Sequence, residues 1–123
     1  AKDMYTGLYF RTTYAYALTL QQKNPGSVLF ILSAKYGILS LEEKIEPYNK
    51  SIAKMNKKER ENWYKKVMIQ MKKMNIWKSS KIFICSRLYQ GPFKGRNVFP
   101  NGLGIGSQIQ YLKNKMDKRK TLL

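Results

Sequence analysis

Three groups of residues in this sequence have the types and spacing to do chemistry. The first follows an apolar run and consists of Ser33, Lys35 and Tyr36 in Ser33-Ala34-Lys35-Tyr36-Gly37. The second follows another apolar run and consists of Ser86, Arg87 and Tyr89. Each set joins a hydroxyl, a cation and a phenol, a combination that can hold a phosphate by charge while a base or sugar stacks on the tyrosine. The third group is acidic: Glu42, Glu43 and Glu46 fall within five positions. Glu42 and Glu43 read as solvated surface. Pro47 and Tyr48 fix the backbone around Glu46, which makes it the one plausible general base or water-orienting carboxylate, or else a partner for Lys35.

A glycine-rich stretch, Gly102-Leu103-Gly104-Ile105-Gly106-Ser107, leads into a helical pattern. Backbone N–H groups around Gly104 and Gly106 can meet an anion there. The spacing matches neither the dinucleotide fingerprint nor the P-loop, so a close-packed turn is the alternative.

Composition narrows the chemistry further. The 123 residues include no histidine and one cysteine, which removes Ser-His and Cys-His nucleophile pairs and imidazole zinc ligands. Cys85 lies within the apolar run Ile82-Phe83-Ile84-Cys85 and reads as a small core residue. No metal site and no cofactor are expected. The balance of 24 Lys and Arg against 7 Asp and Glu, a net charge of +17, exceeds what solubility needs and points to a polyanionic partner, with nucleic acid the leading candidate. No apolar run approaches the length of a membrane span and no signal-peptide core opens the chain, so no membrane partner is expected and the expected location is cytoplasmic.

The elements that must position these residues follow from periodicity. A helical pattern runs from Tyr5 to Gln22 and stops at Asn24-Pro25-Gly26. Ser27 to Ala34 reads as a strand covered on both sides, with Gly37 allowing a sharp turn after it. Asn56 and Glu59 make a capping box for a helix reaching about Met74. On it, Trp63, Tyr64, Val67, Met71 and Met74 share one face, while Lys58, Lys65, Lys66, Lys72 and Lys73 form a basic ridge on the other side. Lys81 to Ser86 is a second buried strand, the segment from Gln90 to Gly106 a loop, and Ser107 to Met116 a closing helix.

This order predicts a small single α/β domain over residues 1–112, with a mostly parallel sheet covered by helices, and a basic C-terminal tail over 113–123. Ligand sites in such sheets collect beyond the carboxyl ends of the strands. Two strands are too few for a stable covered sheet. Either a first strand precedes Ala1, outside this numbering, or short strands lie hidden in the 90–106 loop.

The text Ala1-Lys2-Asp3-Met4-Tyr5, Leu32-Ser33-Ala34-Lys35-Tyr36-Gly37-Ile38-Leu39, Ile45-Glu46-Pro47-Tyr48 and Ile105-Gly106 with Gln108 and Leu112 resembles a small bacterial and phage domain family of unknown function. More distantly it is similar to the YaaA peroxide-stress proteins. That resemblance implies an α/β fold with a positively charged cleft, DNA binding, and a link to protection from oxidative damage. It implies a cleft lined by Lys2, Ser33, Lys35, Tyr36, Glu46 and Tyr48. The resemblance also implies a first strand, with a Ser-Cys-x-x-Lys ending, just before Ala1, so that part of the site and one sheet strand are expected outside this numbering.

The leading reading is a domain that binds DNA or a nucleotide-containing ligand through a basic cleft at the strand ends. One rival is an enzyme acting on a nucleobase or its glycosidic bond, with Glu46 as its carboxylate. Another is a phage accessory protein whose basic surface meets an acidic protein. The sequence leaves the oligomeric state open.

Overall fold

A Pro-Gly corner and a row of single-turn connections set the architecture. The computed structural model describes residues 7–43 and 50–122. Helix α1 (Leu8–Lys23) ends where the Asn24 N–H closes back on the carbonyls of Leu20 and Gln21, and Gly26, at φ +91°, turns the chain. Strands β1 (Phe30–Ser33) and β2 (Gly37–Ser40) follow. They pair antiparallel, with Phe30 opposite Ser40 and Ser33 opposite Gly37.

A 3-10 turn (Ile52–Lys54), capped by the Ser51 side chain, leads into α2 (Lys57–Lys73). The predicted capping box is formed: Glu59 N–H donates to Asn56 Oδ1 at 2.8 Å, and Asn56 N–H donates to Glu59 Oε1 at 3.0 Å. Two donors with no partner in the helix ladder are thereby satisfied. Strand β3 (Ile82–Phe83), the one-turn helix α3 (Arg87–Gln90) and strand β4 (Arg96–Asn97) make a miniature parallel β-α-β unit. Helix α4 (Ile105–Leu122) closes the chain and carries the basic stretch that begins at Lys113.

The chain is thus a small mixed helix and strand fold, α/β in rhythm, and the expectation of a mostly parallel sheet is corrected. Among the described residues there are two separate two-stranded sheets, and the larger is antiparallel. The reason is local. Gly37 takes φ +77°, a conformation that favours glycine, so the chain doubles back after three turn residues and Ile38-Leu39 becomes a second strand. The predicted strand over Ser27 to Ala34 is correspondingly shorter, and it is only partly covered: Phe30, Ile31 and Leu32 are half-buried and Val28 is exposed. The short strand expected within the 90–106 loop is β4.

Two apolar clusters support this frame. Ile38, Ile52, Met55, Trp63, Val67, Met71, Phe83 and Phe93 join the hairpin, the 3-10 turn, α2 and β3. Tyr16, Val98, Phe99 and Leu112 join α1, the end of β4 and α4. Val67 and Leu112 are completely buried, and such side chains contribute about 1.5–3 kcal/mol each relative to exposure.

Candidate functional site

The Ser33-Ala34-Lys35-Tyr36-Gly37 segment is the tip of the β1-β2 hairpin, held from both sides. Ser33 is buried, and its Oγ accepts the N–H groups of Lys35 (3.2 Å) and Tyr36 (3.0 Å), which fixes the turn from within. Helix α2 fixes it from without. The Trp63 indole N–H donates to Ser33 O at 2.9 Å. Lys66 Nζ donates to Lys35 O at 3.1 Å. Gln70 reads both sides of the turn: its amide donates to Tyr36 O (3.0 Å) and accepts the Ile38 N–H (2.8 Å). Positions 63, 66 and 70 fall on one side of a helix because they are three and four residues apart. The result leaves Lys35 exposed at the corner, its ammonium 5.2 Å from the centre of the Tyr36 ring.

The second motif follows β3. Cys85 precedes α3, and Asn97 from β4 donates to Cys85 O at 3.0 Å. Arg87 opens α3 and donates through Nη2 to Phe99 O at 2.7 Å, so part of its guanidinium is committed to the fold. Tyr89 packs edge-on against Trp63, 5.8 Å between centroids and 87° between planes. The two strand-end motifs therefore meet on Trp63, which bonds Ser33 and touches Tyr89.

Behind Tyr89 lies a polar pair that the sequence reading did not single out as functional. Tyr9 donates its hydroxyl to Gln108 Oε1 at 2.6 Å, and the buried Gln108 amide donates to Leu103 O at 3.0 Å. Burial, with the Cys85 and Tyr89 groups adding to it, pushes the Tyr9 phenol up to about 12. Burial likewise pushes the Cys85 thiol up to about 12, against a smaller opposing pull from Arg87. Both groups stay protonated at neutral pH, so Cys85 is not a poised thiolate. It is a half-buried free cysteine packed against the core, at its margin where the sequence suggests a place within it.

The remaining predicted residues are distributed as follows. Lys58, Lys65, Lys66, Lys72 and Lys73 are all exposed on α2, with Lys58, Lys65 and Lys72 opposite its buried face of Trp63, Val67 and Met71 and Lys66 on the edge that meets the hairpin. Lys66 links that face to the Lys35 corner. Gly104 and Gly106 are exposed at the start of α4, and a Cβ added at either would meet nothing within 4 Å, so crowding does not require glycine there. Lys2, Glu46 and Tyr48 lie outside the described residues. No cluster of three potential metal ligands occurs among the described residues, and no helix there is long and apolar enough to cross a membrane.

One aromatic escaped the sequence reading altogether. Trp77, just beyond α2, is 39% exposed and borders a cleft of about 220 Å³ lined also by Met71, Lys81, Pro92, Phe93 and Lys94. Its signal was the interleaving of an aromatic with Lys72, Lys73, Lys78 and Lys81.

A family model described as a family of unknown function, DUF6884, matches residues 1–114, and the chain belongs to that family. No curated protein and no solved structure matches the chain.

Proposed function

We propose that this DUF6884 chain is a nucleic-acid-binding domain, with DNA the favoured ligand, that grips the sugar-phosphate backbone along the lysine face of α2 and the Lys35 corner of the hairpin. The observation that carries the reading is the bond from Lys66 Nζ to Lys35 O, which brings the hairpin tip beside the lysine ridge of the helix. From Lys58 to Lys72 the ridge extends roughly 20 Å at the rise of an α-helix, comparable to about six phosphates along one strand. The protonated state of Cys85 and Tyr9 favours binding over nucleophilic chemistry at those two groups. The order of the sequence elements, distantly similar to that of the YaaA peroxide-stress proteins, is in keeping with this reading. In this reading Tyr36 packs beside the phosphate-binding Lys35.

A salt titration tests it. Duplex DNA binding should weaken linearly in log–log form, and replacing Lys65, Lys66 and Lys72 together by Gln should reduce the slope by up to about 0.9 per phosphate contact removed. A slope unchanged in that triple variant would sink the proposal.

A further inference from the structure

We infer that the Trp77 cleft is a stacking site for one unpaired base of a single-stranded nucleic acid; this deepens the reading above and rests on it. A buried tryptophan is ordinary core, but Trp77 keeps 39% of its surface exposed at the head of the basic ridge. Its ring is held edge-on by the buried Phe93, 6.4 Å between centroids and 89° between planes. Lys81 is held too: its ammonium donates to Trp77 O (2.7 Å) and Ser79 O (2.9 Å) while lying 5.9 Å from the indole centre. The platform is therefore built before any ligand arrives, which lowers the ordering cost of binding.

The chemistry around it selects the occupant. Lys72 Nζ lies 5.2 Å from the Trp77 ring centre, and Lys81 and Lys94 line the cleft, whose lining among the described residues holds no carboxylate. A flat aromatic face ringed by ammonium groups suits a planar, electron-rich group joined to an anion, which describes a nucleobase on its phosphate backbone. At about 220 Å³ the cleft is smaller than the roughly 300–1,000 Å³ of a typical small-molecule pocket. That size suits one base with its backbone left outside. A paired base has its faces covered by its neighbours and cannot stack here, so the site distinguishes single strands from duplex. As the base slides onto the indole, the Lys72 ammonium moves from the ring to a flanking phosphate.

Tryptophan emission reads this directly. The other tryptophan, Trp63, is 4% exposed with its N–H bonded to Ser33 O, so a stacked base quenches Trp77 alone. The 123-residue chain is titrated at fixed salt with a twelve-residue oligothymidylate, the oligouridylate of the same length, an abasic oligomer of equal charge, and a duplex. Quenching by the base-bearing single strands, and little by the abasic oligomer or duplex, is the expected result; the thymidylate and uridylate arms report DNA against RNA preference. Trp77→Ala should weaken single-strand binding by roughly 5- to 150-fold, the cost of one lost stack, while leaving duplex binding within about twofold. Equal quenching by abasic and base-bearing oligomers overturns the inference, and that comparison uses the parent chain, so it stands whether or not Trp77→Ala folds. Salt-dependent binding without base-dependent quenching removes the stacking site and leaves the backbone-binding reading intact. Failure of every oligomer and the duplex to bind removes both.

Discussion

The clamp between Gln70 and the hairpin turn makes a quantitative prediction through a double-mutant cycle with Gly37. Gln70→Ala removes two hydrogen bonds, to Tyr36 O and from the Ile38 N–H, and Ile38 is buried. Leaving its N–H without a partner costs about 1–3 kcal/mol, and the second bond about 1 kcal/mol, so the loss should be about 2–4 kcal/mol. At about 2.1 cal/mol/K of unfolding entropy per residue, this corresponds to a melting temperature lowered by roughly 8–16 °C. Gly37→Ala carries two separable costs. The residue sits at φ +77°, and a new Cβ would run into the Gln70 side-chain amide. The conformation alone costs about 1–2 kcal/mol, and displacing Gln70 forfeits the clamp as well. In the parent chain Gly37→Ala should therefore cost about 3–6 kcal/mol, but in a Gln70→Ala background only the conformational part, because the obstructing amide is gone. Urea unfolding of the four proteins, followed by circular dichroism, gives a coupling energy expected at about 2–4 kcal/mol, the forfeited clamp. Additivity within about 0.5 kcal/mol would falsify the clamp as the device that sets the turn.

Two further outcomes follow from single groups. Removing the α2 cap with Asn56→Ala should lower stability by about 0.5–2 kcal/mol, read as a lower urea midpoint at unchanged slope, since one of the two reciprocal bonds is lost outright and the other loses its geometry. The pH dependence comes from Cys85 and Tyr9, whose folded pKa values are raised from 9.0 and 10.0 to about 12. A raised pKa means the folded state binds more protons than the unfolded state, so this contribution is complete below about pH 9 and declines as pH rises toward 12. Melting temperature should fall across that window, and Cys85→Ser should remove part of the fall; a melting temperature flat from pH 9 to 12 would show that neither group is desolvated as described.

What was legible in the sequence was whatever depended on near neighbours. Asn56 and Glu59 announce a capping box because both partners sit three residues apart, and Trp63, Val67 and Met71 announce a buried face because the helix repeats every 3.6 residues. The antiparallel hairpin was harder to read for a physical reason. The apolar run that ends in Ala34 and the short Ile38-Leu39 pair look like one interrupted strand, and only the positive φ of Gly37 turns them into two facing ones. The meeting of Ser33 and Tyr89 on Trp63 was not legible at all, since those residues are separated by tens of positions and their contact depends on how α2 packs between the hairpin and α3. The role of Ser33 shows the same limit. Its place at a strand end suggests a ligand contact, while its burial and its two accepted bonds also tie it to the turn.

Helix α2 connects core and charge, and that connection bears on why the charge is arranged as it is. Its rotation about its own axis is fixed by the buried Trp63, Val67 and Met71 and by the bonds that Trp63, Lys66 and Gln70 make to the turn. Its start is fixed by the capping box. The exposed lysines therefore project from a backbone that cannot roll, whereas lysines on a frayed helix would average their positions. Concentrating like charges on one rigid face costs stability through mutual repulsion, and a net charge of +17 makes that cost larger at low ionic strength. A bound polyanion would reverse the sign of the effect, because each phosphate along the ridge would offset repulsion already present in the free chain. Ligand binding and folding stability would be linked by that exchange, so on the proposed function the lysines that weaken the isolated domain would strengthen the complex.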